Sequence, residues 1–521
     1  MCAGYRARTQ RDDWRSSRVE HGDAPLNKAD VLEAVTFGQR VAEQETQELR
    51  SYFVETVAWK SIYAGDVDVL YGPKGSGKSA LYSLLRDRET ALRERGIVLI
   101  SAENPSGAPV FRDLVTDPPA STTEFRNLWK LYVLSLVARG LRDQHAATAP
   151  ARKLIRTMER SGLIPREASL RGVLRSVVDY LGQVRNAEGV EAGMKLDSAS
   201  GTAQPVLRIT FREPSASDRR LGHTSADELL EVANDALRSM GHTAWVLFDR
   251  LDVAFSESAD LEANALSALF RMYLDIQHLR QLSLKIFLRN DIWQRITRSG
   301  FPEASHITRS LSIIWNRDSL LNLVVRRLLR NTAIRSFYGV DEAEVLADAS
   351  KQEALFGRVF PPKVDLGARR PSTFVWMLLR TQDGTEHNAP RELIHLLSAA
   401  RNVQRRRLQE GHKEPPGEAL FDRASIRDAL PEVSRERLEQ TLYAEYPHLR
   451  QWLLRLKRER TEQTADSLAR VWDVDRDSAV QLADELVQVG FFEEHGAQRD
   501  PTFWVPFLYR DALEMIEGSA D

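Results

Sequence analysis

Residues 67–79 read VDVLYGPKGSGKS, a short apolar run followed directly by a glycine-rich turn. The run VDVLY (67–71) has the length and apolar character of a buried strand. The spacing of leucines after the turn predicts an amphipathic helix of about 17 residues that begins at Lys78. A strand, a glycine-rich turn and a helix in this order predict a backbone loop that closes around an anion.

The turn matches the pattern G-x-x-x-x-G-K-[ST] in full. Its eight residues are Gly72, Pro73, Lys74, Gly75, Ser76, Gly77, Lys78 and Ser79. Glycines in this pattern let successive backbone N–H groups point inward, toward phosphate oxygens. We expect Lys78 to contact the β- and γ-phosphates, Ser79 to offer its hydroxyl to Mg²⁺, and Ala80 to complete the loop. An ordinary glycine-rich turn is the alternative, but the flanking strand and helix favour a site for ATP and Mg²⁺.

A metal-anchoring acid is expected at the end of a neighbouring strand. The run AWVLF (244–248) is apolar throughout and ends at Asp249, which we expect to hold Mg²⁺ through water. Asp252 is our candidate for the carboxylate that orients the attacking water. Glu257 is close in sequence and remains an alternative for that role.

Further apolar runs alternate with helical patterns along the chain. IVLIS (97–101), LKIFL (284–288) and SLSIIW (310–315) read as strands, and Val206, Ile209 and Phe211 suggest an inserted β-hairpin. Strands that alternate with helices predict an α/β fold, a three-layer core with a mostly parallel sheet covered on both faces.

The pattern changes after the last of these strands, and five regions are expected. Only helices follow, until a helix, turn, helix and β-prone tail predict a winged helix-turn-helix. The regions are an N-terminal extension, partly disordered (1–36), a P-loop ATPase core with an insertion at about 120–240 (37–316), a helical lid (317–410), a linker and helical region (411–464) and the winged helix-turn-helix (465–521).

With these motifs the chain resembles the additional-strand P-loop ATPases of the AAA+ and STAND groups, over about 37–400 and 465–521. Four phrases are similar to a poorly characterised family of bacterial P-loop ATPases. They are FGQRVAEQE (37–45), YFVETVAWKSI (52–62), SAENPSGAP (101–109) and LWKLY (128–132).

The resemblance implies roles for several arginines. A polar residue where LKIFL ends would read the γ-phosphate, and Arg289 stands there; a surface pair with Asp291 is the alternative. Arg391 begins a helix beyond the core, as a lid arginine would, unless that helix end is simply solvated. Arg298 and Arg309 would serve as fingers in trans if copies of the chain assemble, and would otherwise be surface charge.

The chain departs from the family pattern directly after Asp249. Arg250 stands where a typical AAA+ protein has a catalytic glutamate. This departure favours slow hydrolysis or a nucleotide-dependent switch over fast turnover.

Composition excludes several classes of protein. A hydrophobic share of 42% with 28% charged residues is that of a globular chain rather than a disordered one. The single cysteine, Cys2, excludes an internal disulfide framework and a cysteine-based metal cluster. The sequence contains no membrane-length apolar stretch and no apolar core of a secretory signal, so we expect a cytoplasmic location with no membrane partner.

Charge distribution separates two kinds of partner. The last region, 465–521, has thirteen acidic residues against four basic ones, which disfavours contact with DNA phosphates. The basic stretch RNVQRRR (401–407) could bind phosphate, although such runs are more often solvated or paired between domains. We therefore expect a slow ATPase that acts as a switch, with a protein partner or self-association. A DNA-binding ATPase that uses its winged helix and arginine-rich helices is the alternative.

Overall fold

The computed structural model describes most of the chain. The described residues are 26–39, 52–102, 121–164, 169–188, 195–196, 203–204, 209–211, 213–220, 223–251, 259–298, 300–497 and 500–520. Most of the N-terminal extension therefore lies outside them, as do Asp252 and Glu257.

Five parallel strands form the central sheet, close to the predicted positions. They are β1 (Val69–Gly72), β2 (Ile97–Ser101), β3 (Thr243–Phe248), β4 (Leu282–Arg289) and β5 (Ser310–Ser312). The strand order is β2-β3-β4-β1-β5, so β4 lies between the strand that leads to the glycine-rich turn and the strand that ends before Asp249.

Helices cover both faces of this sheet. Those of the first 300 residues are α1 (Lys28–Ala34), α2 (Val57–Ala64), α3 (Lys78–Asp87), α4 (Glu89–Glu94), α5 (Thr122–Asp143), α6 (Ala149–Arg160), α7 (Leu170–Glu188), α8 (Ala216–Arg220), α9 (Ala226–Ser239), α10 (Ala259–Ile276) and α11 (Asn290–Arg298). One face packs against α5, α9 and α10, and the other against α2 and α3. The predicted α/β fold, a three-layer P-loop NTPase core with a mostly parallel sheet, is confirmed.

Some local predictions need correction. The helix expected from Lys78 is interrupted at Arg88, which leaves helical geometry and separates α3 from α4. The strand expected over 310–315 ends at Ser312, at the edge of the sheet, where it has a partner on one side only.

The inserted region contains two short strand pairs. Lys195–Leu196 pairs antiparallel with Ala203–Gln204, as a hairpin would. Ile209–Thr210 is not part of that hairpin, because it pairs in parallel with Thr224–Ser225. Val206, which we also assigned to the hairpin, lies outside the described residues.

The second half of the chain is built mainly from helices around one apolar core. They are α12 (Arg317–Leu329), α13 (Thr332–Tyr338), α14 (Glu342–Leu346), α15 (Ala349–Val359), α16 (Thr373–Thr381), α17 (Pro390–Gln409), α18 (Arg423–Arg437), α19 (Arg450–Arg455), α20 (Ala465–Trp472), α21 (Arg476–Gln488) and α22 (Phe507–Arg510). A π-helix (Leu438–Tyr443) follows α18, and short 3₁₀ helices occur at Pro302–His306 and Pro447–Leu449.

The last block contains a four-stranded sheet. Its strands are β6 (Arg460–Thr464), β7 (Glu493–Ala497), β8 (Asp500–Trp504) and β9 (Ile516–Ser519), in the order β7-β8-β6-β9. Helices α20 and α21 lie between β6 and the β7–β8 hairpin, in line with the helix, turn, helix and β-prone tail that the sequence predicts. Within the described ranges, no helix combines the length and apolar character that crossing a membrane requires.

Candidate nucleotide site

The glycine-rich turn joins β1 to α3 at the carboxyl edge of the central sheet. Gly75 and Gly77 have φ angles of 85° and 96°, which side-chain-bearing residues rarely adopt. A Cβ added to Gly72 would collide with the Ser76 hydroxyl. The backbone of the turn therefore favours glycine at Gly75 and Gly77 independently of any ligand, and a side chain at Gly72 would require the Ser76 hydroxyl to move.

Lys78 begins α3 and reaches back over the turn. Its ammonium donates hydrogen bonds to the carbonyl oxygens of Gly72 (2.8 Å) and Pro73 (2.9 Å). The carbonyl of Ser76 accepts a hydrogen bond of 2.8 Å from the Trp315 indole, which fixes the turn against the segment after β5. Ser79 follows Lys78 in the first turn of α3.

Two other predicted residues stand at the same edge of the sheet. Arg289 is in register with Gly72, since β4 and β1 are parallel neighbours. Asp249 follows β3 directly and its side chain is buried. Burial raises the pKa of Tyr82 on α3, and the charge of Asp249 adds to that effect, so Asp249 faces the helix that begins at Lys78.

Arg289 lies in a network of charges rather than on the surface. Its guanidinium donates to both carboxylate oxygens of Asp291 (3.0 and 2.9 Å) and to the Tyr446 hydroxyl (3.0 Å). The pair with Asp291 that we weighed as an alternative does form, but only 12% of the Arg289 side chain is exposed. Burial opposes ionisation of Asp291, yet the charge and hydrogen bonds of Arg289 and the Tyr446 hydroxyl lower the pKa of this carboxyl.

A residue far along the chain also enters this network. Glu445 forms an ion pair with Lys74 of the turn and another, of 2.7 Å, with Arg289. The sequence contains no signal for this contact, because Lys74 and Glu445 are 371 positions apart and Glu445 belongs to no recognisable motif.

Arg391 reaches the turn through the start of α17. The Cβ of Arg391 lies 3.0 Å from the position that a Cβ on Gly75 would take. Its Nε is buried and has no hydrogen-bond partner among the described residues. The first turn of a 20-residue helix therefore packs directly on the glycine-rich turn, with a polar atom in need of a partner.

A partly open pocket lies beside the turn. Gly75, Ser76, Gly77 and Ala80 form one wall and Arg391 another. The remaining lining is mostly apolar, and it includes Tyr52, Phe53, Val54, Ile313, Trp315 and Ile394. A mostly apolar lining with a few polar groups is typical of a small-molecule pocket. Sequence reasoning missed these apolar residues, because they come from three separate segments and match no functional pattern.

The other candidates lie elsewhere. Arg250 adopts a φ angle of 57°, in the left-handed region, and so turns the chain sharply after Asp249. Arg309 is at the opposite edge of the sheet, where its Nε donates to Asp68 at 2.7 Å. Arg298 is exposed at the end of α11. Within one chain, the contacts described for Arg298 and Arg309 do not bring either residue to the glycine-rich turn.

The basic stretch of α17 is largely occupied by partners from the same chain. Arg401 donates to the backbone carbonyls that end α1, and Arg405 forms an ion pair with Glu33. Arg407 lies 3.3 Å from Asp422. Three of the four arginines of this stretch therefore have partners elsewhere in the chain, and pairing between domains, one of the alternatives that the sequence left open, remains a prediction.

No family model and no curated protein matches the chain. Among solved structures, the chain is similar to the ORC2 protein of Aeropyrum pernix in its ADPNP–ADP complexes, with a TM-score of 0.33 and 13% identity over 92% of this chain and 94% of the other. The ADP form of the same protein has a TM-score of 0.30 and 12% identity over 90% of this chain and 91% of the other.

Proposed function

We propose that the protein binds ATP with Mg²⁺ and hydrolyses it slowly, as a nucleotide-dependent switch of the AAA+ and STAND type. The observation that carries the proposal is the position of the pocket, which is lined both by the glycine-rich turn and by Arg391, packed against that turn. One end of the site offers backbone N–H groups and cations, and the other is apolar. A nucleotide, with charged phosphates and a flat base, has the same division.

Each predicted residue then has a role in the bound complex. The phosphates lie over the turn and the start of α3, and Lys78 exchanges its carbonyl partners for phosphate oxygens. Ser79 and Asp249 hold Mg²⁺, which would supply charge neutralisation at the phosphates. Arg289 and Arg391 contact the γ-phosphate from β4 and α17, and the apolar cavity encloses the base.

Slow turnover follows from the sequence after Asp249. Arg250 stands in place of the acid that would orient water, and it has a left-handed backbone with a φ angle of 57°. Asp252 remains our candidate for that acid. A site that binds nucleotide firmly but hydrolyses it slowly is suited to report which nucleotide is bound.

The DNA-binding alternative has less support. The exposed face of α21, which would enter a groove of duplex DNA, includes Asp477 and Asp484. These carboxylates would repel phosphates. We therefore propose that the winged block docks on protein, either a partner or a second copy of the chain.

The Lys78→Ala variant tests the proposal. We expect it to lose hydrolysis and to bind ATP more than about tenfold more weakly, because it lacks the ammonium that contacts the phosphates. A tenfold loss of affinity corresponds to about 1.4 kcal/mol of binding free energy. Calorimetric titration with MgATP and a phosphate-release assay measure the two effects. Lys413→Ala is the matched control, because Lys413 is exposed in the segment between α17 and α18. Normal turnover by the Lys78 variant would show that the site is elsewhere.

A further inference from the structure

We propose that Glu445 is an internal competitor for the phosphates, so that ATP must displace it from the site. We call residues 438–449, which contain Glu445, the latch segment. The proposal rests on the nucleotide site proposed above and adds a regulatory residue from outside it. Without nucleotide, the Glu445 carboxylate pairs with cations that a phosphate would otherwise contact, and nucleotide binding releases the latch segment.

The position of the carboxylate is the first argument. One oxygen of Glu445 pairs with Lys74 in the glycine-rich turn, and the other is 2.7 Å from Arg289. These two cations come from the adjacent strand ends of β1 and β4, where the phosphates are expected. Only 16% of the Glu445 side chain is exposed, so the contact is enclosed rather than a pair on the protein surface.

The charges of the network are the second argument. Lys74 and Arg289 are balanced by Glu445 and Asp291, which leaves the network neutral as built. A phosphate that approaches Arg289 would meet the negative charge of Glu445 in a partly dry site, where repulsion between like charges is strong. Departure of Glu445 removes one negative charge from beside Lys74 and Arg289, so that both cations can interact with the phosphates instead.

The latch segment has a backbone suited to local movement. It begins with a π-helix, Leu438–Tyr443, and continues into the short 3₁₀ helix Pro447–Leu449. π-helices are rare and often occur at functional sites, because their wider turn is less stable than an α-helix. Glu445 stands between these two helices, while the side chains of Leu442 and Leu449 stay anchored in the core.

The neighbouring Tyr446 also contacts Arg289. Its hydroxyl donates to Asp291 (2.8 Å) and accepts from Arg289 (3.0 Å). When a phosphate recruits Arg289, both contacts of the latch segment with β4 and α11 are weakened together. Because the segment connects α18 to α19 and β6, nucleotide state would be passed to the C-terminal block.

A purely structural ion pair makes a different prediction. Loss of such a pair lowers stability and leaves nucleotide affinity unchanged or reduced. A competing carboxylate predicts the opposite sign for affinity, because its removal eliminates the cost of displacement. The sign of the affinity change therefore separates the two roles.

The test uses the full chain with Glu445→Gln, which keeps the size of the side chain and removes its charge. We expect its Kd for MgATP to fall by about tenfold, and by less for MgADP, which lacks the γ-phosphate. Glu439→Gln is the matched control, since Glu439 is exposed in the same segment and outside the site. In the unmodified protein, MgATP should increase amide hydrogen exchange in peptides covering 438–449.

The possible outcomes are distinct. The latch would be overturned if Glu445→Gln bound ATP with unchanged or lower affinity and if ATP did not change the amide exchange of 438–449. Binding of ATP by the unmodified protein would still support the nucleotide site. Absence of ATP binding in the unmodified protein and in Glu445→Gln alike would refute the nucleotide site itself. If Glu445→Gln does not fold, which its thermal unfolding reports, the exchange measurement on the unmodified protein decides the question alone.

Discussion

At the scale of single residues, Asp68 accounts for the position of Arg309, one of the two arginines that the sequence suggested as fingers in trans. It precedes β1 and accepts hydrogen bonds from Lys285 (2.8 Å), from Arg309 (2.7 Å) and from the Tyr273 hydroxyl (3.1 Å). Burial lowers the pKa of Lys285, and the charge of Asp68 opposes that effect. The network is at the amino edge of the sheet, so it stabilises the core from the side opposite the proposed site.

Replacement of Asp68 by alanine should destabilise the protein by about 3–5 kcal/mol, because the Lys285 ammonium would stay buried without its anion. Urea unfolding measures the change. Asp66→Ala is the control, since Asp66 is exposed two positions earlier, and it should change stability by less than about 0.5 kcal/mol. An equal effect of both variants would argue against a buried ion pair at Asp68.

Asp249 permits a second prediction at this scale. Asp249→Asn keeps the size of the side chain but removes the charge that we assign to Mg²⁺. We expect hydrolysis to be lost and ATP affinity to become nearly the same with and without Mg²⁺, as titrations in magnesium and in chelator would show. Asp260→Asn, an exposed site on α10, provides the comparison. A variant that still binds ATP more tightly in Mg²⁺ would remove Asp249 from the metal site.

At the scale of elements, α17 connects the glycine-rich turn to the second half of the chain. Glu392, next to Arg391, is buried and accepts a hydrogen bond of 2.8 Å from Arg437 of α18. Arg437 also donates to Asp383, in the segment before α17, at 3.2 Å. Burial opposes ionisation of Arg437, yet the Tyr509 hydroxyl and the two carboxylates together raise its pKa well above the usual value. One buried arginine therefore joins the first turn of α17 to α18 and to the segment before α17.

Arg437→Met should loosen this junction, because it leaves Glu392 and Asp383 buried without a cation. We expect a loss of about 3–5 kcal/mol in unfolding free energy and weaker ATP binding, since Arg391 loses its fixed position. The double variant Arg437→Met/Glu392→Gln should regain part of the stability, because one of the two uncompensated charges is gone. Chemical unfolding of the three proteins checks this order, and a single variant as stable as the parent would contradict it.

At the scale of the whole molecule, one apolar core extends from α1 through α12 to the C-terminal block. Aromatic residues of the tail belong to it, since Phe491, Phe492 and Phe503 are buried, so they are not free to stack on bases. The backbone N–H of Gly384, before α17, donates to the carbonyl of Gly490 at 2.7 Å. The helical region and the C-terminal block therefore share one core, and their division into domains remains a prediction.

Duplex DNA should neither bind tightly to the protein nor raise its ATP turnover. The excess of acidic residues in 465–521 should limit affinity to the weak, non-specific range, roughly 10⁻⁴ M at physiological salt. Fluorescence anisotropy with labelled duplex, and turnover with and without DNA, measure both. Stimulation by DNA would favour the DNA-binding alternative. A specific rate that rises with protein concentration would instead indicate catalytic groups supplied by a second copy, with exposed Arg298 as the first candidate.

The sequence by itself determined the parts that depend on neighbours along the chain. A buried strand, a glycine-rich turn and the start of a helix at Lys78 occur within a dozen residues, and each has a local signature. The strand before Asp249 and the helix beginning at Pro390 were predictable for the same reason, because apolar periodicity and a proline at the first turn act over short distances. The fold class followed from the alternation of such elements.

Only the tertiary structure decided what lies across from these elements. The order β2-β3-β4-β1-β5 places Arg289 beside Gly72, and the pocket is lined by segments that are far apart in the sequence. Glu445 reaches Lys74 from 371 positions away. Contacts of this kind follow from burial and charge compensation in the folded chain. A single glutamate in a helical region has no periodicity or spacing from which its partner could be predicted.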